Sequence, residues 1–378
     1  MNFRFFDCLT LTLISFLMVS TGADDTARAV DHDEPTRSVI VVQGVGGSPQ
    51  FDDSFRAACS KIESAAKKAK INFTWIGGGT KTADSKSDRD LLKIAIESNL
   101  NEKSQLWLIL IGHGTYSRNA AKFNLRGPDL LAADLTNWLE DSTAPIAIVN
   151  CASSSAPFIN SLSGPNRIVV TATKSGFEIS FARFGQFFAE GITNMEADID
   201  KDEQVSLLES FLFASKKVQE FYKSESRLST EHALIDDNGD GKGTPLEFFR
   251  GVRVVAKAAD DTIPDGLRAN QLHLIESEFE MKLSASIKQK RYQLEMEVEK
   301  LRSQKSQMPE GEYFEKLELI MTKLAQLYAS QEKNPLQNAD SNASDHSKKD
   351  AENPKAKNLK KDENPSTSKQ TKKAANPK

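Results

Sequence analysis

From Ser38 onward, short apolar runs alternate with longer stretches in which apolar residues recur at helical spacing. The runs are SVIVVQGVGG from Ser38, INFTWIGGG from Ile71, LWLILI from Leu106, Ile146 to Asn150, and RIVVTAT from Arg167. Aliphatic, β-branched runs of that length, with no polar alternation, predict strands buried on both faces. Between them, FDDSFRAACSKIESAAKKAK puts Phe55, Ala58, Cys59 and Ile62 on one helical face. DRDLLKIAIESNL carries Asp88 and Asp90 where a helix N-terminus favours negative charge, and PDLLAADLTNWLED supplies a third helix. This alternation predicts an α/β fold, a mostly parallel sheet with flanking helices on both faces. In such sheets the ligand site lies beyond the carboxyl ends of the strands. The GVGG after the first run lacks the Gly-Lys-Ser/Thr of a phosphate loop and reads as a tight turn.

The pattern changes after the α/β domain, assigned to residues 38–191. Residues 192–256 read as largely helical, interrupted by two acidic loops. Further on, Leu272, Ile275, Phe279, Leu283, Ile287, Leu294, Val298 and Leu301 keep helical spacing from Leu267 to Gln307. Pro309 and Gly311 break it, and Phe314, Leu317, Met321, Leu324 and Leu327 resume it. Residues 265–330 are therefore predicted to form a long antiparallel helical hairpin. It packs on the domain or pairs with another molecule, by self-association or with a partner. Residues 331–378 are mostly Lys, Asn, Asp, Ser and Pro, and a disordered tail is expected there.

Only 39% of the 378 residues are hydrophobic, in keeping with an unfolded portion. A net charge of -4 is close to balance and argues against a nucleic-acid partner. At the start, Arg4, the apolar LTLTLISFLMV and the small residues STGA have the form of a signal peptide, residues 1–23, followed by a polar lead-in over 24–37. The chain is expected to be secreted or periplasmic, with no integral membrane segment once the signal is removed. Signal removal leaves Cys59 and Cys151; their spacing leaves a disulfide between them open.

Two strand ends carry reactive side chains. LWLILIGHGTYS delivers His113 between two glycines, and PIAIVNCASSS delivers Cys151. A nucleophilic thiol needs a base to take its proton and donors for the oxyanion that forms. Neighbouring strand ends can bring such groups together without adjacency in sequence. Of the other histidines, His32 is in the lead-in, His346 in the tail, His273 in the hairpin and His232 beside an acidic loop; none follows a buried strand. Gly114, lacking a side chain, lets its N–H approach a substrate oxygen.

The order of these parts resembles the caspase-like and legumain-like cysteine endopeptidases over roughly Ser38 to Gly191. IGHGTYS matches their His-Gly motif, and IVNCASSS resembles the Cys-x-Ser-Gly-Ser of legumains. The resemblance implies a caspase-like fold and peptide or protein substrates. It also implies His113 as base, Cys151 as nucleophile, and the N–H groups of Gly114 and Cys151 as oxyanion hole. Ser154 stands where legumains have glycine, and no specificity pocket is recognisable. A cysteine at a strand end also serves as a small core residue. A caspase-like domain without activity, acting as a calcium-binding scaffold, is therefore the competing reading.

The acidic loops are DIDKDEQVSLLE from Asp198 and DDNGDGKGTPLE from Asp236. Calcium takes six to eight oxygens, which a loop of about twelve residues supplies from positions 1, 3, 5, 7, 9 and 12. The first loop offers Asp198, Asp200, Asp202, the Gln204 carbonyl, Ser206 and Glu209. The second offers Asp236, Asn238, Asp240, the Lys242 carbonyl, Thr244 and Glu247. Both resemble EF-hand loops, at a separation close to that of a paired unit. Position 6 wants a left-handed turn, which Gly241 adopts freely and Glu203 must force, at a cost of about 1 kcal/mol or more. Bound Ca2+ is expected to stabilise the fold rather than to signal.

Overall fold

The computed structural model describes residues 36–79, 86–100, 104–255 and 263–332. The expected signal peptide, nearly all of the lead-in and the tail from residue 333 lie outside the described residues. One compact unit ends at Tyr328; of the next, Ala329–Lys378, the description covers the end of one helix.

Strands and helices alternate as β1 (Thr36–Gln43), α1 (Pro49–Lys68), β2 (Asn72–Ile76), α2 (Asp88–Asn99) and β3 (Ser104–Ile111). A small three-stranded sheet follows, β4 (Gly114–Ser117), β5 (Ala120–Phe123) and β6 (Leu130–Leu131), leading into α3 (Ala132–Trp138). Then come β7 (Ile146–Asn150), α4 (Pro157–Leu162), β8 (Arg167–Thr171), α5 (Phe184–Gly191) and α6 (Leu207–Ser224). The main sheet is completed by β9 (Leu234–Asp236) and β10 (Thr244–Pro245), in the order β10-β9-β8-β7-β3-β1-β2. The five strands from β8 to β2 are parallel, and β9 and β10 join antiparallel at one edge.

Alternate residues of β3 divide between two apolar layers. Trp107, Ile109 and Ile111 pack with Phe55, Cys59, Phe184 and Phe211 of α1, α5 and α6. Leu106, Leu108 and Leu110 pack with Leu92, Ile96, Leu135 and Phe158 of α2, α3 and α4. Both faces of the strand are therefore dry, which is why its sequence carries no polar alternation.

Two expectations are corrected. The region expected to be a helical EF-hand pair contributes β9 and β10 to the main sheet, because Ile235 is fully buried in the core and pairs with Val170 of β8. The long helix expected from Leu267 breaks into α7 (Leu267–Asn270), a 3-10 turn at Glu280–Lys282 and α8 (Ala285–Ser303). Tertiary hydrogen bonding wins there: the Leu272 carbonyl accepts from Leu207 N at 2.8 Å, and His273 bridges to Ser206. After α8, α9 (Glu310–Glu332) contributes Tyr313 and Ile320 to a small cluster with Val298 and Leu301. Among the described residues, no helix is long and apolar enough to cross a membrane.

The segment before α8 is anchored by a buried ion pair, Arg291 donating to both carboxylate oxygens of Glu280 at 2.6 and 2.7 Å. Burial alone would raise the Glu280 carboxyl, but the Arg291 guanidinium outweighs it and holds it below the usual range. Removing one partner strands a buried charge, so Glu280→Gln is expected to lower stability by about 3 kcal/mol. Chemical denaturation checks this, with the double variant Glu280→Met, Arg291→Met recovering part of the loss.

Past β7 the chain turns sharply and holds Ser154 at φ 55°, with its hydroxyl buried and unpartnered. Glycine enters that left-handed conformation without a side-chain clash. Ser154→Gly is therefore expected to stabilise the fold by about 1 kcal/mol. Thermal unfolding measures it, and a lower midpoint would mean that the side chain itself contributes.

Candidate functional site

His113 follows β3 on the side covered by α1. Its ring sits among Phe51, Phe55 and Phe181, with centroids 5.0, 5.1 and 6.0 Å away in edge-on geometry. Nε2 lies 3.2 Å from the Gly46 carbonyl. A carbonyl only accepts, so this bond requires the proton on Nε2. Burial lowers the His113 pKa, against the raising effects of the Gly46 bond and Asp52. The half-buried imidazole is thus favoured in its neutral form.

Cys151 continues the β7 ladder by one residue, its N–H donating to the Leu110 carbonyl at 2.9 Å. The side chain is only 2% exposed and belongs to the same layer as Ile111, Phe184 and Phe188. Gly185 of α5 closes over it: a Cβ at that position would lie 2.7 Å from the Cys151 Cβ and 3.3 Å from Sγ. Burial pushes the thiol pKa far up, reinforced by Cys59 and Glu231. Thiolate, the reactive form, is suppressed in such surroundings. No hydrogen bond joins Sγ to the His113 ring among the described residues. Cys59 is also a buried free thiol, pushed up to about 12 by burial, so the two cysteines are not joined in a disulfide.

The N–H groups expected to form an oxyanion hole are both engaged within the fold. That of Cys151 is a ladder bond, and that of Gly114 donates to Ser153 Oγ at 3.3 Å. Ser153 Oγ in turn donates to the Gly114 carbonyl at 3.1 Å. Position 114 requires glycine for packing, since an added Cβ would lie 2.3 Å from the Ser153 carbonyl oxygen.

Two further carboxylates organise this edge, and the sequence pattern did not single them out. Buried Glu231 accepts from Arg183 N at 2.8 and 2.9 Å and from Phe184 N at 3.0 Å, where α5 begins. Glu178 Oε1 lies 2.5 Å from His232 Nδ1, and Glu178 Oε2 accepts from His232 N at 3.2 Å. Together they stitch residues 174–183 to residues 225–232. Neither partner is close in sequence, so no periodicity announces the pairing.

The two acidic loops differ. In the first, Asp198, Asp200 and Asp202 converge, each offering a carboxylate oxygen within 4.8 Å of the others. Ser206 and Glu209 form a capping box at the start of α6. Glu209 Oε1 also reaches back to accept from Ile199 N at 2.6 Å. Gln204 donates from its side chain to Asp202 at 2.9 Å and accepts from Ser277 N at 3.1 Å. Glu203 takes φ 69°, the left-handed turn demanded at position 6. Burial, and then neighbouring carboxylates, raise the Asp200 carboxyl; burial also raises Asp202 and Glu209. Three gathered carboxylate oxygens are the donor type that a hard divalent cation takes.

The second loop is built on the same turn bonds as the first, where Asp198 accepts from Lys201 N and Glu203 N and Asp202 from Gln204 N, and it adds partners outside the loop. Asp236 accepts from Gly239 N, Gly241 N and Ser163 Oγ. Asn238 accepts from Asp240 N, and Asp240 from Lys242 N. Thr244 donates to Asp265 at 2.6 Å, and Glu247 accepts from Gln219 of α6 at 2.8 Å. The β9–β10 pairing draws the two ends of this loop into the sheet.

No protein-family model matches the chain, and no curated protein matches it. Among solved structures, it is similar to the Drosophila initiator caspase Dronc, at 13% identity and a TM-score of 0.37, over 55% of this chain and 81% of that one. It is also similar to caspase-1 from Spodoptera frugiperda, at 11% identity and a TM-score of 0.34, over 55% and 87% of the two chains.

Proposed function

We propose that this chain is an exported, calcium-stabilised binding scaffold on a caspase-like α/β domain, in which His113 and Cys151 serve the fold rather than peptide cleavage. The observation that carries this reading is the enclosed Cys151 thiol, sealed by Gly185 and far from its reactive form. The engaged N–H groups of Gly114 and Cys151 support it from a second direction. An endopeptidase would need an ionisable thiol, an imidazole in reach of it and free donors for the oxyanion. One observation favours that alternative: Cys151 belongs to the same apolar layer as Phe55, whose ring touches His113.

Alkylation separates the two readings. In native protein at pH 8, iodoacetamide is expected to leave Cys151 and Cys59 unmodified for as long as it takes to label both fully in guanidinium chloride. No member of a peptide library is cut. Native labelling of Cys151 that disappears in His113→Ala would establish the endopeptidase instead.

Calcium belongs to the first loop in this proposal, with Asp198, Asp200 and Asp202 as its carboxylate ligands. Binding relieves their mutual repulsion and stabilises the folded state by mass action. Millimolar Ca2+ is expected to raise the melting temperature by a few degrees. The shift should vanish in Asp200→Asn, Asp202→Asn and persist in Asp240→Asn; the opposite pattern would move the site to the second loop.

A further inference from the structure

We infer that Arg183 and the two loops beside it form a docking surface for an acidic, apolar peptide segment of a partner protein, which names a partner class for the scaffold and rests on that reading. The guanidinium carbon of Arg183 sits over two aromatic rings, 4.0 Å from the Phe221 centroid and 5.4 Å from that of Phe181. Its side chain forms no hydrogen bond or ion pair with any described residue; its backbone N–H donates to Glu231, and its carbonyl accepts from Gln186 N. The rings hold the cation without using its N–H donors. Those donors match a carboxylate, which they can grip with two parallel hydrogen bonds.

The loop that carries Arg183 and the loop stitched to it also carry exposed apolar side chains. The three most exposed large apolar side chains among the described residues are Leu228 at 90%, Phe177 at 81% and Ile179 at 74%. All three lie in the two loops that Glu178–His232 and Glu231–Arg183 stitch together. Scattered apolar residues on a surface need no explanation, but such concentration on one pair of loops marks an interaction site. The stitching also holds the surface in shape before a partner arrives, which lowers the ordering cost of binding. Phe181, one wall of the Arg183 clamp, stacks on Phe51 at 4.7 Å and so ties the surface to the sheet edge. A partner that pairs a glutamate or aspartate with flanking large apolar residues satisfies both features; a purely basic or purely polar segment satisfies neither.

The test uses the full chain and two blocked, fluorescein-labelled peptides that alternate leucine and phenylalanine with either glutamate or glutamine. Fluorescence anisotropy is expected to show the glutamate peptide binding at least about tenfold more tightly, with the advantage shrinking at high salt. Arg183→Gln should abolish the preference, and Leu228→Ser with Ile179→Ser should weaken both peptides without changing the melting temperature. Equal binding of the two peptides, or a preference that survives Arg183→Gln in protein of unchanged melting temperature, would overturn the inference. The two ideas fail separately: cutting of a bound peptide would overturn the scaffold reading alone, and absence of binding in uncut mixtures would overturn the docking surface alone.

Discussion

Covering a parallel sheet on both faces governs nearly everything at its carboxyl edge. Each strand that emerges there hands its next residues to whichever helix lies above or below. At β7 the helix is α5, and its glycine at position 185 lets the backbone come close enough to enclose Cys151. At β3 it is α1, whose Phe51 and Phe55 receive the imidazole of His113. Two residue types associated with nucleophilic chemistry are in this way drawn into packing. The same burial that completes the core removes the water that a thiolate would need.

The acidic loops share their turn bonds and differ in their other partners. The first loop brings three carboxylates together, while in both loops the first aspartate takes hydrogen bonds from its own turn. In the second, Asp236 also takes one from Ser163, and the loop's ends are drawn into β9 and β10. The segment that follows touches both. Asn270 donates to Asp200 and Ser277 to Gln204 in the first loop, while Asp265 accepts from Asp237 N and Asn238 N in the second. Residues 263–277 therefore act as a strap across the two loops, which explains why they abandon the helix that their apolar spacing would support.

A buried acid plays a comparable part at the opposite edge of this region. Glu231 is held by the N–H groups where α5 begins, a position that the helix dipole makes favourable for negative charge. The loop carrying Arg183 thereby acquires a defined shape although Phe177 and Ile179 stay largely exposed. Order in the backbone and exposure in the side chains are thus produced by the same contact.

How much was legible follows from the range of each interaction. The five main strands from Ser38 to Thr171 and the helices α1, α2 and α3 could be read because apolar periodicity is local, whereas the short β4–β6 sheet and α4 could not. The left-handed turn at Ser154 was foreshadowed by the glycine of the legumain pattern. Long-range competition escaped notice: β9 replaced an expected helix because an open sheet edge was available beside it, and α7 stops where the Leu272 carbonyl meets α6. Residue spacing by itself determined that His113 and Cys151 would stand at the strand ends and that two acidic loops would follow. Only tertiary packing decided that the thiol is enclosed, that the N–H groups beside it are engaged, and that the ends of the second loop join the main sheet. The reason is that burial and hydrogen-bond partnership depend on which distant segment arrives, and neither is written in the spacing of neighbours.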